Sequence, residues 1–184
     1  MKKSSLIICI MLGALCMATT GCNKHDDDDD DQPSITNLAG KTWTFGYNNH
    51  TAIVEFNSST FVIMDDDGDS ESGTYSYDGN TFSCSFGYDE TYNLYCLTKP
   101  NSSTSLEGSV WKFEEVYDGR VYTSTIYLYA SSFTYKEDGY SYEERGSYAY
   151  DGNTLTASWD GDTYFLQCGR VLYEMARNNN TNIW

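Results

Sequence analysis

The chain has 184 residues, with 11 Lys and Arg against 27 Asp and Glu, and a formal charge of −16. A protein this acidic repels phosphate, so nucleic acid is a poor partner, and an anionic membrane surface is disfavoured for the same reason. Aromatic residues make up 16% of the chain, which is too many for a fully disordered protein, and the length suits one ordinary domain or two very small ones. Two His and six Cys leave little for metal or nucleophilic catalysis, and we expect no cofactor.

Residues 1–21 have the pattern of a signal peptide. Lys2 and Lys3 form a positive start, and residues 6–18 are apolar except for small residues. That run is short for a membrane-spanning helix and suits the apolar part of a signal peptide. It ends in Thr19-Thr20-Gly21-Cys22.

Small residues before Cys22 resemble a bacterial lipobox, although Thr19 replaces the usual Leu. The resemblance implies that Cys22 is diacylated, for example with palmitate, and becomes the new N-terminus. Its acyl chains then hold the protein at a membrane by burying their methylenes. The alternative is ordinary secretory cleavage near Gly21.

Residues 22–37 are predicted to be a solvated, extended tether, because closely spaced like charges repel and cannot bury surface. The segment resembles the acidic export signal of surface-exposed lipoproteins from Gram-negative gut anaerobes. That resemblance implies exposure at the outer membrane surface; the alternative is a spacer with no sorting role. The export-signal residues would be Lys24, Asp26, Asp27, Asp28, Asp29, Asp30 and Asp31.

Residues 38–177 contain a tandem repeat, with repeat one at 38–98 and repeat two at 106–177. Leu-x-Gly-x-x-Trp-x-Phe occurs at 38–45 and again at 106–113, and residues 73–81 match 146–154 at seven of nine positions. Ordered matches at a nearly constant offset indicate duplication. Residues 99–105 read as a polar linker, and 178–184 as a flexible tail.

Each repeat is predicted to be an antiparallel meander of alternating strands. The Asp-Gly pairs at 78–79, 151–152 and 160–161 are strong hairpin signals. A two-residue turn at 151–152 places Tyr148 opposite Leu155, and the next turn places Leu155 opposite Leu166. The inward side chains are then Tyr148, Leu155, Ala157, Trp159, Tyr164, Leu166 and Cys168, with Tyr75, Phe82, Cys84, Phe86, Tyr92, Leu94 and Cys96 in repeat one.

No segment after the tether keeps a helical apolar period, so the prediction is an all-β domain of about 12 strands, with a last strand at 171–176. So wide a sheet must close as a barrel or pack as a barrel-like sandwich. The repeated Leu-x-Gly-x-x-Trp and Gly-x-Tyr-x-x-Asp-Gly-Asn-Thr patterns resemble lipocalin-like domains of small bacterial surface lipoproteins. The repeats could be halves of one barrel or two small barrels, and a shared core is favoured because about 65 residues is marginal for an independent one.

Chemistry-bearing residues are few. Asp65, Asp67 and Asp69 could offer oxygen ligands to a hard cation, but the spacing is not that of an EF-hand, and a solvated hairpin tip is the preferred interpretation. Cys84, Cys96 and Cys168 are read as apolar fillers, with a Cys84–Cys96 or a Cys96–Cys168 bridge as alternatives. His50 is expected in a solvated turn.

Tyrosine is the remaining signal, because its flat face and polar tip suit glycan or protein partners. The alternative is that tyrosine covers the sheet through its strand propensity. The candidate binding residues are Tyr95, Tyr127, Tyr129, Tyr140 and Tyr142.

The leading hypothesis is a non-catalytic, membrane-anchored binding or adhesion module for a glycan or protein. The second is a lipocalin-like carrier of a small apolar ligand. The third is a subunit of a glycan-processing enzyme, which would need two carboxylates at a fixed separation.

Overall fold

The computed structural model describes residues 38–48, 50–86, 90–100 and 105–169. The secondary structure elements of these ranges are twelve β-strands: β1 (Thr42–Tyr47), β2 (His50–Phe56), β3 (Thr60–Asp65), β4 (Ser70–Tyr77), β5 (Thr81–Phe86), β6 (Glu90–Thr98), β7 (Val110–Tyr117), β8 (Arg120–Leu128), β9 (Ser132–Glu137), β10 (Glu144–Tyr150), β11 (Thr154–Trp159) and β12 (Asp162–Cys168).

Each strand pairs antiparallel with the next one, and β12 returns to pair with β1, so the sheet is a closed barrel. The predicted all-β, up-and-down meander is therefore confirmed. Of the two forms predicted for it, a barrel or a barrel-like sandwich, the structure is the barrel. Strand β6 pairs with β7 within this sheet, so one barrel contains the strands of both segments that were predicted to be repeats. The strand predicted at 171–176, the tail and residues 1–37 lie outside the described residues.

The predicted faces are correct, but the register predicted for the turn at 151–152 is wrong. Tyr148 lies opposite Ala157, and Tyr150 lies opposite Leu155. The slip is two residues, so every side chain keeps its predicted face. The next hairpin has the predicted register, with Leu155 opposite Leu166 and a two-residue turn at 160–161.

The reason for the slip is the Asp side chain that begins the turn. Asp151 Oδ1 accepts hydrogen bonds from the amides of Asn153 at 2.9 Å and Thr154 at 2.7 Å. Asp78 does the same for Asn80 and Thr81 in repeat one, and these bonds lower its pKa. A side chain that satisfies two amides favours a four-residue loop over a two-residue turn.

The repeated Leu-x-Gly-x-x-Trp motif closes one end of the barrel. Leu38 and Leu106 precede β1 and β7 and are 0% and 2% exposed. Gly40 and Gly108 have φ of 78° and 79°, a region that glycine enters without steric cost. The left-handed turn at each glycine returns the chain to the wall, so the leucine covers the core and the tryptophan that follows enters it.

Large aromatic side chains fill the interior. Barrel diameter grows with strand number, so twelve strands enclose more space than aliphatic residues alone would fill. A continuous set of ring contacts crosses the inner faces of β2 to β7, with centroid separations of 4.9 to 6.2 Å. Its members are Phe56, Phe61, Tyr75, Phe82, Phe86, Tyr92 and Phe113.

Two glycines let a phenylalanine ring lie flat against the neighbouring strand. Phe61 covers Gly73 on β4, and Phe133 covers Gly146 on β10. A Cβ on Gly146 would enter the Phe133 ring and would lie 2.6 Å from the carbonyl oxygen of Ser158. Both positions therefore require glycine for the close approach of ring and backbone.

We predict that Gly146→Ala destabilises the barrel by about 1–3 kcal/mol, the range for overpacking a tight site. Urea unfolding followed by tryptophan fluorescence measures the change. Ser147→Ala, at the adjacent exposed position, is the control and should change stability by less than about 0.5 kcal/mol. Equal stability of the Gly146 variant and the wild type would contradict the close-packing argument.

Candidate functional site

The two ends of the barrel differ in chemistry. The closed end is the end covered by Leu38 and Leu106, and its inward side chains are apolar and buried. The acidic end is the opposite one, where the chain passes from β1 to β2, from β3 to β4, from β5 to β6, from β7 to β8, from β9 to β10 and from β11 to β12. There carboxylates occupy several inward positions beside aromatic residues such as Phe86 and Trp159. In the described strands, inward carboxylates therefore occur at one end only.

Alternation along the strands assigns the carboxylates of the acidic end to the inner wall. Glu115, for example, lies opposite Tyr92 on one side and Tyr122 on the other. In the described strands, Arg120 is the only Lys or Arg at an inward position, and it is exposed at the rim. The inward carboxylates are Asp65, Glu71, Glu90, Glu115, Glu137, Glu144 and Asp162.

Asp162 is held by three donors at the β1–β12 seam. Tyr47 Oη donates to its Oδ2 at 3.2 Å, Asn48 Nδ2 to its Oδ1 at 3.1 Å, and Tyr164 Oη to Oδ2 at 3.4 Å. The Tyr47 and Tyr164 rings stack with centroids 5.1 Å apart. Burial, followed by the Asp162 charge, raises the pKa of Tyr164 well above its usual range. This carboxylate therefore has a structural role in closing the barrel.

Ser124 is a buried hydroxyl without a protein partner. It lies on the inward face of β8, is 0% exposed, and its Oγ makes no hydrogen bond. Its register neighbours are Phe113 on β7 and Glu137 on β9. The indole Nε1 atoms of Trp43 and Trp111 are also buried and unpaired. Such groups are uncommon in folded proteins, and each calls for a physical explanation.

The rim of the acidic end carries exposed tyrosines, two in a loop and two at the ends of the inner faces of β7 and β8. Tyr140 and Tyr142 lie in the loop between β9 and β10, with ring centroids 5.5 Å apart in an edge-to-face arrangement. Tyr117 and Tyr122 flank the Asp118-Gly119 turn between β7 and β8. All four are exposed, so this rim presents several aromatic side chains beside a carboxylate-lined opening.

The five predicted binding tyrosines do not form one surface. Tyr140 and Tyr142 lie at the acidic end, whereas Tyr127 and Tyr129 lie toward the closed end on the outside of β8 and just after it. Tyr95 lies on the outer wall and is half-buried. Its hydroxyl donates to Glu114 at 2.9 Å; burial, then this bond, raises its pKa.

The Asp65 side chain forms hydrogen bonds with backbone amides of the turn that follows it. Its Oδ1 accepts from the amides of Asp67 at 3.1 Å and Asp69 at 2.8 Å, which shapes the β3–β4 turn. A different trio, His50, Asp66 and Asp67, has ligand atoms within 4.8 Å of one another. All three are exposed, and three ligands fall short of the six to eight oxygens that Ca²⁺ takes.

Neither bridge considered for the β-domain cysteines forms. Cys84 and Cys96 are free thiols, which excludes both a Cys84–Cys96 and a Cys96–Cys168 disulfide. Cys168 is disulfide-bonded, with neither of these two as its partner. Cys84 packs inside the barrel between Tyr75 and Tyr92, as expected for an apolar filler.

Sequence reasoning missed the carboxylate-lined interior. The signal was present, because Glu115 follows Trp111 and Phe113 at the same two-residue spacing, and Glu137 follows Phe133 and Tyr135 in the same way. Continuing each alternating pattern by one inward position would have placed these acids inside.

Comparisons with protein-family models, curated proteins and solved structures found no match to this chain. Within the described ranges, no helix has the length and hydrophobicity needed to cross a membrane. The proposals below therefore rest on the sequence and on the geometry of the barrel.

We predict that Cys84 resists alkylation in the folded protein, because burial raises the pKa of its thiol to about 12. At pH 8 only about one thiol in ten thousand is then the reactive thiolate. Iodoacetamide labelling read by peptide mass spectrometry should modify Cys84 only after denaturation. Cys96, which is less buried, is the internal comparison and should react first; equal labelling of both in the native state would contradict the packing.

Proposed function

We propose that the protein is a non-catalytic binding module, lipid-anchored at the outer surface of a bacterial outer membrane, and that it binds its ligand at the acidic end. The observation that carries this proposal is the difference between the two ends. Leu38 and Leu106 cover one end, whereas the other has inward carboxylates and four exposed tyrosines. An end with inward carboxylates and exposed aromatic faces suits recognition better than a sealed one.

The rim tyrosines supply the contact chemistry. A tyrosine ring offers a flat apolar face with few rotatable bonds, and its hydroxyl can donate and accept hydrogen bonds. Tyr140 and Tyr142 are already ordered against each other at 5.5 Å, so little side-chain entropy is lost when a ligand binds. Sugars and protein loops are both suited to such a surface, and we propose a glycan or a protein as ligand.

A second candidate function is that of a lipocalin-like carrier. It is favoured by the unpaired Nε1 atoms of Trp43 and Trp111 inside the barrel, which could donate to an enclosed ligand. Against it, Trp43, Phe82 and Phe113 are themselves almost fully buried and occupy the space that an apolar ligand would need. Native mass spectrometry of the purified protein distinguishes the two, because a carrier should retain a co-purified small molecule.

The third class is an enzyme that acts on glycans. It would need two of the inward carboxylates at a fixed separation across a bound sugar. Incubation with each glycan that the protein binds, followed by product analysis, tests this class, and release of shortened glycans would overturn the non-catalytic proposal.

The two matched halves of the chain are proposed to derive from tandem duplication. The matched Leu-x-Gly-x-x-Trp segments and the Phe61–Gly73 and Phe133–Gly146 pairs support it. Duplication also accounts for the even division of the strands, six from each half.

The membrane anchor is proposed from the sequence of residues 1–37, which lie outside the described residues. The signal peptide, the lipobox-like Cys22 and the acidic run from Asp26 to Asp31 support it. With the tether between lipid and barrel, the binding end would stand clear of the membrane surface.

We predict that Cys22→Ser releases the protein from the outer-membrane fraction, since a serine cannot carry the thioether-linked diacylglycerol. Fractionation with immunoblotting measures the release, and Cys16→Ser, inside the signal peptide, is the matched control that should stay anchored. Retention of the Cys22 variant in the membrane would contradict the anchor.

We predict that replacing Tyr140 and Tyr142 with Ala weakens glycan binding at least tenfold, which is the loss expected for aromatic anchors of a binding site. The matched control replaces Tyr127 and Tyr129, which are also exposed but lie toward the closed end. Both variants are compared with the wild type on a glycan array. Loss of binding in the control pair alone would place the binding surface elsewhere.

If no glycan binds the wild type, the proposal narrows to a protein ligand. The same variant pairs are then compared by cross-linking on intact cells. The Tyr140 and Tyr142 variant should lose its cross-linked partner while the control pair keeps it.

A further inference from the structure

We propose that the interior of the acidic end binds an organic cation, an ammonium or guanidinium group, between β7 and β10 with Ser124 at its floor. The proposal rests on the binding function above and names the chemistry that the ligand must carry. It uses residues inside the barrel, whereas Tyr140 and Tyr142 lie in the loop between β9 and β10.

Ser124 is the first observation. Its hydroxyl is 0% exposed and unpaired, and a buried hydroxyl without a partner costs about 1–3 kcal/mol. Alanine would fit the same space without that cost. An N–H group that enters from the acidic end would donate to Ser124 Oγ and remove the penalty.

The side chains around Ser124 form the second observation. Glu137 lies directly opposite on β9, and Glu115 lies diagonally across on β7. Directly opposed residues have Cβ atoms about 5 Å apart, and diagonal ones about 7–8 Å. Glu144 on β10 lies opposite Tyr135, one strand beyond Glu137. Three carboxylates on three strands therefore face the interior around one unpaired hydroxyl.

The four strands around Ser124 place three carboxylates and one cation at inward positions. The inward positions of β7, β8, β9 and β10 contain Glu115, Glu137 and Glu144, with Arg120 as their one cation, exposed at the rim. Lys112 and Lys136, on the same strands, are at outward positions, and Lys112 is paired with Glu114 at 2.7 Å. A bound cation would reduce the repulsion among the inner carboxylates.

The aromatic neighbours favour an organic cation over a bare metal ion. Tyr122 and Tyr135 flank Ser124 and Glu137, and Tyr135 contacts Trp159 with centroids 5.8 Å apart. Aromatic faces attract ammonium and guanidinium groups through cation–π interactions. Ca²⁺ instead needs six to eight oxygen ligands, to which these rings contribute nothing.

The test is isothermal titration of the purified full-length protein with agmatine, which carries both an ammonium and a guanidinium group. Ser124→Ala removes the hydroxyl, and Glu137→Gln removes the charge with little change of shape. Glu107→Gln is the matched control, because it makes the same change of charge at an exposed position of the closed end. It accounts for the general attraction of a cation to an acidic protein.

We expect Glu137→Gln to weaken agmatine binding at least tenfold and Ser124→Ala about threefold or more, while Glu107→Gln changes it less than twofold. Without ligand, Ser124→Ala should also raise the melting temperature, because it removes an unpaired buried hydroxyl; this shows that its binding defect is not a folding defect. Calcium chloride is titrated in parallel.

Equal weakening by Glu137→Gln and Glu107→Gln would overturn the proposal, since binding would then reflect net charge alone. Binding of Ca²⁺ without agmatine, or no binding of agmatine to the wild type, would overturn it as well. The rim variants Tyr140→Ala and Tyr142→Ala are measured separately on glycans or cells. If agmatine does not bind but the tyrosine variants still lose glycan or partner binding, the proposed binding module is retained without the cation site. If agmatine binds as expected but the tyrosine variants bind normally, only the interior cation site is retained.

Discussion

The need to close and fill a twelve-stranded barrel is the constraint on which the rest of the structure depends. The β1–β12 seam joins the first strand to the last, and it is reinforced at one end by Thr44 Oγ1, which donates to the carbonyl of Gly169 at 2.9 Å. At the other end Asp162 accepts from Tyr47 and Asn48. Once the sheet is closed it has no exposed edge, and its interior must be packed with large side chains to avoid cavities.

This constraint explains much of the aromatic content. In the part of the chain that the structure describes, most phenylalanine and tryptophan side chains and many of the tyrosines face inward, because a wide barrel needs residues of large volume. Gly73 and Gly146 let two of these rings lie against the wall, so the sheet can bend around them. The tyrosines left over are those of the outer surface, and only part of these lie at the acidic end. A high tyrosine count is therefore mainly a packing property here.

The two ends of the barrel have different roles: the closed end contributes most to stability, and the acidic end is the proposed binding end. The closed end buries the leucines of the repeated motif and the tryptophans that follow them, and hydrophobic burial there is the main stabilising contribution. The acidic end can then hold features that cost stability, such as the unpaired Ser124 hydroxyl and several inward carboxylates. Local departures from good packing are expected where a protein binds its ligand.

The Asp-Gly turns show how far local patterns predict register. The same dipeptide forms a two-residue turn at 118–119 and at 160–161, where both residues have positive φ. At 78–79 and 151–152 only the glycine has positive φ, and the Asp side chain holds the next two residues in a longer loop. The difference is thus in the Asp side chain, whose Oδ1 accepts from the backbone amides of the following Asn and Thr only in the longer loops. The faces were nevertheless predicted correctly, because a slip of two residues preserves alternation.

The sequence by itself determined the strands, their inner and outer faces and the meander order, because alternation and turn residues act over a few neighbouring positions. It also contained, before the barrel, the charge and small-residue pattern from which a signal peptide and an acidic tether are predicted. Only the tertiary structure decided that all twelve strands share one barrel, which end is sealed, and that Ser124, Glu115 and Glu137 lie on neighbouring strands of its inner wall. Those facts depend on the pairing of β6 with β7 and of β1 with β12, and contacts between residues so far apart in the chain leave no local pattern.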